Sequence, residues 1–315
     1  MPGSQLPDPS TTPFDDIRSL LAAMPGVRGG PRAPGGALGS AVAWAASWQG
    51  RAEPSADRPL VCLFAASHGF LTGSSADAEV TGTRRLLDAF VAGAARINAV
   101  CGAQGFGFKA LELALDVPSG DIAKEAALGE RECVATMAFG MEAVSGADLL
   151  AVGAVGRAVQ VPAAAVLTAL FGEPAGGWLA AGATKSGTAA LMESAARHHG
   201  TAARNPLAAL ARFGGRDLAA IAGAILSARH QRVPVILDGF AAFAAAAILH
   251  ALDPAALGHC MMAQAAGPAE RDVAETLGLT AILAGLDIPD EQGLAGALAL
   301  AVLKTAIAAD RLRGV

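Results

Sequence analysis

Residues 233–252 read VPVILDGFAAFAAAAILHAL, a β-branched run of strand length that stops at Asp238-Gly239 and passes straight into an alanine-rich helical stretch. A strand followed immediately by a helix needs a crossover to reach its next neighbour, and an unbroken apolar run belongs in a parallel sheet covered on both faces. Similar runs occur at 59–67 (PLVCLFAAS, stopping at Ser67-His68-Gly69), 147–156 (ADLLAVGAVG, ending in Gly153 and Gly156) and 258–264 (GHCMMAQ), while 109–116 (KALELALD) alternates like a strand. Helical spacing fills the intervals, at 79–101, 130–146, 161–172, 187–199, 205–215, 216–230, 241–252, 269–278 and 294–309, with further helices at 14–24 and 40–50. The fold class expected is therefore α/β, a parallel sheet flanked by helices with right-handed crossovers.

In such a sheet every strand delivers its carboxyl end to one edge, where the following helices begin and ligands bind. Asp238 lies at such an end. Gly239 lets backbone approach closely, and the first N–H groups of the next helix point at whatever occupies the crevice. The alternative is that Asp238 is simply a helix N-cap. His68-Gly69 and Gly153/Gly156 close two other strands, so three loops converge on one expected site.

Composition narrows the partners. Apolar residues make up 53% of the 315-residue chain and charged residues 16%, and tyrosine is absent, so alanine fills much of the core and favours closely packed helices. A net charge of -5 argues against a nucleic-acid footprint or an anionic membrane surface and leaves small molecules or proteins as partners. No unbroken apolar run reaches the ~18 residues that cross a bilayer. The richest runs, around 239–249 and 294–303, end at His250 and Lys304. The acidic, Pro-rich start has neither a basic nor an apolar leader region, so a cytoplasmic protein is expected, with residues 1–13 disordered. Cys62, Cys101, Cys133 and Cys260 lack CxxC spacing and read as buried free thiols, and no metal-ligand cluster is visible. The glycine-rich stretch 102–107 (GAQGFG) follows a helix instead of a strand and lacks the context of a dinucleotide fingerprint. The helices at 161–171, 241–249 and 294–302 are apolar almost all round, which requires burial between layers or across a subunit interface.

The stretch 213–254, FGGRDLAAIAGAILSARHQRVPVILDGFAAFAAAAILHALDP, closely resembles the nicotinate-nucleotide:dimethylbenzimidazole phosphoribosyltransferases of cobalamin lower-ligand synthesis. Further blocks agree in order: PFDDIRSLLAAMPG (13–26), APGGALG (33–39), SHGF (67–70), GAARIN (93–98) and ERECVATMAFGMEAVSGADLL (130–150). The resemblance implies a Rossmann-like α/β domain over 51–279, a small helical domain from 14–50 plus about 280–315, and a homodimer. It implies displacement of nicotinate from nicotinate mononucleotide by a ring nitrogen of a benzimidazole-type base, with a carboxylate as general base and no metal or other cofactor. Asp238 and Gly239 match the family's strand-end Asp-Gly. The substrate-binding set so expected is Asp238, Gly239, Phe240, His68, Ser75, Arg84, Gly153, Gly156, Gly182 and Lys185.

Departures from the family pattern fall on the chemistry. Its GEMGIGNTT-like loop is GAVGRAVQV (153–161) here, so Ala154 stands at the family's carboxylate position. Its RLGEGSGAALA-like loop meets IPDEQGLAGALA (288–299). Aligned forward from 277–279 the general base falls on Glu291, and aligned backward from 300–304 it falls on Gln292; Glu291 is the residue expected to carry the role. A family lysine falls near Glu193, with Lys185 its replacement, and an arginine, Arg84, enters the pocket for the flat base. Two readings stay open: a transferase of altered geometry that uses Glu291, or a catalytically impaired relative that binds a nucleotide or base or partners an active homologue.

Overall fold

The computed structural model describes residues 12–28, 36–156, 158–172, 177–178, 186–286, 288 and 292–311. Five parallel strands form one sheet in the order β2-β1-β3-β4-β5. They are β1 (Pro59–Ala65), β2 (Gly107–Glu112), β3 (Leu149–Val155), β4 (Val235–Leu237) and β5 (Cys260–Met262). β1 pairs with β3 from Pro59 opposite Leu149 to Ala65 opposite Val155, and both strands are almost wholly buried. The sheet explains the continuous apolar runs, because helices cover both of its faces.

One face carries the larger core. Here α9 (Gly215–His230) and α10 (Phe240–Leu252) pack on the sheet, α6 (Gln160–Phe171) packs on α10, and α5 (Glu130–Ala143) packs along α9. α1 (Phe14–Ala22) adds Phe14, Ile17 and Leu21 to the same core. The other face is covered by α4 (Arg96–Gln104) and α12 (Leu294–Asp310), the latter lying on β1, β3 and β4 with α2 (Ala37–Gln49) against it. Remaining helices are α3 (Ser74–Val91), α7 (Ser186–His199), α8 (Pro206–Ala209) and α11 (Pro268–Leu277). α10 is buried on all sides within a single chain, so its apolar circumference needs no second subunit.

The expected helix over 79–101 is two helices, parted at residues 92–95 with Gly93 at φ +70°. By length and composition alone Ser74–Gln104 would suffice to cross a membrane, which modifies the expectation that no stretch qualifies; the break between α3 and α4 means that it is not one continuous helix. Residues 205–230, expected as two helices, form α8, a π turn at Leu210–Gly214 and α9, with Gly215 at φ +80° marking the bend. All four cysteines are free and buried, and desolvation pushes their thiols up, Cys101 to about 11. Among the described residues no group of three His, Cys, Asp or Glu side chains is arranged to hold a metal ion. The expected disordered tail lies outside the described residues except for Thr12 and Pro13, which lead into α1.

Candidate active site

The carboxyl ends of β3 and β4 come together with the start of α12. Asp238 leaves β4 with its own N–H donating to Val152 O at 2.9 Å. Its carboxylate then turns toward the opposite layer, where Oδ2 accepts the Gly296 N–H at 2.7 Å. Gly296 is the third residue of α12, so its N–H is one of the first-turn donors with no partner inside the helix. Asp238 is thus a helix cap supplied from another strand, and its negative charge faces the positive end of the α12 dipole. It does not cap α10, whose N-cap Gly239 has no side-chain bond.

Glycine makes the room for this acid. A Cβ on Gly296 would lie 2.9 Å from Asp238 Oδ2, and one on Gly153 would lie 2.8 Å from Asp238 O. Gly239 stands at φ +81° with open space where a side chain would be.

One turn further along β3 the chain enters the loop to α6. Gly156, at φ +121°, donates its N–H to Gln292 Oε1 at 3.1 Å. Ala158 donates its N–H to Glu79 Oε1, on α3, at 3.0 Å. A Cβ on Gly156 would stand 3.1 Å from that same Glu79 oxygen and 3.4 Å from Thr83 Oγ1. Residues 153–156, Ala158, Asp238 and residues 292–296 therefore form one rim, joined at Asp238–Gly296 and again at Gln292–Gly156.

Of the expected site residues, Asp238, Gly239, Gly153 and Gly156 meet at this rim. Phe240 begins α10, and its side chain is buried in the larger core. His68 is buried as well, its Nε2 3.2 Å from Asp217 Oδ2, with both side chains at most 2% exposed. Its ring stacks on Phe70 and abuts Gly215. Ser75 is exposed in the first turn of α3. Arg84, farther along α3, bonds Asp116 Oδ1 at 2.6 Å and lies 3.7 Å from Glu112 Oε1, beyond the end of β2. The Asp116 hydrogen bond, with the added pull of Glu112 and Asp88, raises the guanidinium further above its usual range. Arg84 is therefore already matched with acids. Gly182, Lys185, Arg157 and Glu291 lie outside the described residues.

Three contributors to the rim escaped sequence reasoning: Glu79, Thr83 and Gly296. Glu79 precedes Val80 on a helix whose apolar spacing was visible, but nothing local to it points to residue 158. Gln292 was visible only as the alternative to Glu291. Its amide oxygen accepts a hydrogen bond from β3, and an amide takes no proton at neutral pH.

A cavity of about 550 Å³ lies elsewhere, near the start of β5, lined by Leu38, Trp44, Leu257, Met261, Leu279 and Ile282 among others. It is mainly apolar and contains none of the rim residues. Its size alone does not outweigh the convergence of strand ends, helix starts and polar groups at the rim.

Fold and rim define an α/β protein that gathers glycine backbone, an amide and acids at the carboxyl ends of a parallel sheet. Residues 30–311 match a phosphoribosyltransferase family model. The chain is 43% identical over 320 residues, 95% of this chain and 94% of the other, to the nicotinate-nucleotide–dimethylbenzimidazole phosphoribosyltransferase of Rhizobium johnstonii. It is 40% identical over 94% of both chains to the protein of that name from Brucella anthropi. A solved structure of that name from Thermus thermophilus superposes with a TM-score of 0.75 at 26% identity and 95% coverage of both chains. The chain belongs to the nicotinate-nucleotide–dimethylbenzimidazole phosphoribosyltransferase family.

Proposed function

We propose that this chain transfers the 5-phosphoribosyl group of nicotinate mononucleotide to a ring nitrogen of a benzimidazole-type base, in assembly of the cobalamin nucleotide loop. The observation that carries this reading is near-complete colinearity, at 43% identity, with a relative bearing that name. The rim accords with it. A nitrogen of the base attacks the anomeric carbon, the bond to nicotinate breaks, nicotinate departs with the bonding pair, and the base sheds its ring N–H proton. Positive charge builds on the ribose as the old bond loosens, and nearby acids stabilise it. The N–H groups of Gly156 and Ala158 are already met by Gln292 and Glu79, so in this reading the 5′-phosphate is left to the first-turn N–H groups of α6 beyond them.

Glu291 is the proton acceptor in this reading. It adjoins Gln292, whose bond to Gly156 ties this part of the chain to β3. A homodimer, a cytoplasmic location and the division into a large α/β unit (51–279) and a small helical unit (14–50 with about 280–315) belong to the same proposal. α2 packs on α12 as that division expects, while α1 joins the larger core and α12 also lies on the sheet; the half-exposed Leu298, Ala301 and Val302 on α12 supply apolar surface for a partner.

A second reading has its own observation. Ala154 occupies one family carboxylate position, and Gln292 presents an amide at the rim. A protein that binds nucleotide or base without turnover, or that partners an active homologue, fits those two residues. Incubation with nicotinate mononucleotide and 5,6-dimethylbenzimidazole, following free nicotinate and the new ribotide by chromatography, separates the readings. The transferase releases one nicotinate per ribotide, Glu291→Gln abolishes the reaction, and Gln292→Ala slows it. Binding of nicotinate mononucleotide with no nicotinate released from any benzimidazole, purine or phenol acceptor would establish the second reading instead.

A further inference from the structure

We propose that Glu79 is a positioning residue for this reaction: its carboxylate holds the β3–α6 loop in register with α3, so that the loop and the helix act as one surface. The inference rests on the transferase reading, under which α3 borders the pocket for the base and the loop borders the phosphoribosyl group.

α3 is loosely attached for its length. Of its residues Ser74–Val91 only Thr83 and Phe90 are buried, with Val80 and Leu87 packed part-way against the core. A helix held so lightly needs a polar tie if its position relative to the strand ends is to be fixed. Glu79 supplies one through the Ala158 N–H at 3.0 Å, and Thr83 lies one turn on, beside Gly156. Glycine suits position 156, because a φ of +121° strains any side chain and a Cβ there would press on Glu79 Oε1 at 3.1 Å and meet Thr83 Oγ1 at 3.4 Å. On the other side of the loop Gln292 accepts the Gly156 N–H. The loop is thereby held from α3 and from the segment before α12. The carboxylate also lies near the amino end of α6 (Gln160–Phe171), where its charge is favoured. The Ala158 bond itself needs only an acceptor oxygen, which the amide of glutamine also supplies.

The test uses the full chain as wild type, Glu79→Ala and Glu79→Gln, with two readouts. Amide hydrogen exchange without ligand reports the tie itself, and steady-state kinetics with nicotinate mononucleotide and 5,6-dimethylbenzimidazole report its use. In Glu79→Ala the Ala158 amide exchanges at least ~10-fold faster, and KM for both substrates rises about 10-fold while kcat falls less. Glu79→Gln keeps the protection of Ala158 and both KM values within about twofold of wild type. Unchanged exchange and KM in Glu79→Ala would overturn the proposal, and so would Glu79→Gln failing as badly as Glu79→Ala, since that would make the charge and not the tie the essential feature. An inactive wild type would defeat the transferase reading alone. The loop tie would then stand or fall on the exchange contrast and on whether Glu79→Ala weakens binding of nicotinate mononucleotide while Glu79→Gln preserves it.

Discussion

Where α5 crosses α9, Gly140 and Gly223 keep ordinary helical backbone and serve only to let two helices touch, whereas at the strand-end rim Gly156 and Gly239 hold positive φ and expose backbone. In the seam, a Cβ on Gly140 would stand 1.9 Å from Ala220 O and one on Gly223 2.0 Å from Met137 O. The glycines at the rim instead bend the chain between strand and helix. The centre of the seam is closed by backbone contact, with polar ties only toward its ends, Arg216 to Glu132 and Ser227 Oγ to Met141 O. At the rim the N–H groups of Gly156, Ala158 and Gly296 are each met by a side chain distant in sequence. Substitutions in the seam should therefore cost stability first, and substitutions at the rim should cost function out of proportion to stability.

Gly223→Ala is expected to have the largest effect. The added methyl cannot avoid the Met137 carbonyl without parting α5 from α9, and overpacking of this kind costs about 3 kcal/mol. Urea unfolding monitored by circular dichroism measures it; a change below about 1 kcal/mol would show that the seam is not tight. At the rim, Asp238→Ala strips the acceptor from the first turn of α12, with an expected loss of about 2 kcal/mol for a charged hydrogen bond. Asp238→Asn, which retains an oxygen, should lose less than half of that, and equal losses in the same unfolding experiment would mean that the charge on the α12 dipole dominates. Gly156→Ala sharpens the contrast further. About 1–2 kcal/mol of backbone strain is expected, together with a loss of nicotinate release far beyond what unfolding explains.

The smallest effect concerns histidine and sets the closed side against the rim once more. His259 is fully buried, with Nε2 2.9 Å from Ile225 O on α9, and burial drives its pKa down to about 3. Above its ordinary value near 6.5 the group is neutral both folded and unfolded, and it adds no pH dependence. As pH falls from 6.5 toward 3 the unfolded chain takes up a proton that the folded one refuses, so stability declines across that window. His259→Gln should flatten the decline in the urea midpoint between pH 6.5 and 4.5. An unaltered slope would assign the acid sensitivity to other groups.

Much of the fold was legible because the strands are buried on both faces and read as unbroken apolar runs. β1, β3 and β4 fall inside the runs at 59–67, 147–156 and 233–239, although β4 shrinks to Val235–Leu237. The π turn at Leu210–Gly214 was not legible, since its apolar spacing continues that of the helices on either side. Asp238 was correctly placed at a strand end, but its partner is a helix 58 residues onward, and no local pattern reports such a contact. His68 looked equally like a strand-end ligand contact until the fold placed Asp217 against it. Glu79 carried no local signal at all, because its significance depends on Ala158 arriving from another layer. Local chemistry thus located the edge, and tertiary contacts chose which side chains serve it.

In the proposed reading, ligand binds at the rim of strand ends and not in the apolar cavity near the start of β5. Backbone amide chemical-shift mapping with nicotinate mononucleotide tests this most directly. The largest perturbations should fall on residues 153–160, 238–240 and 292–296, with little change at 37–44 and 277–282. Perturbations confined to 37–44 and 277–282, with the amides of Gly156, Ala158 and Gly239 unmoved, would contradict it.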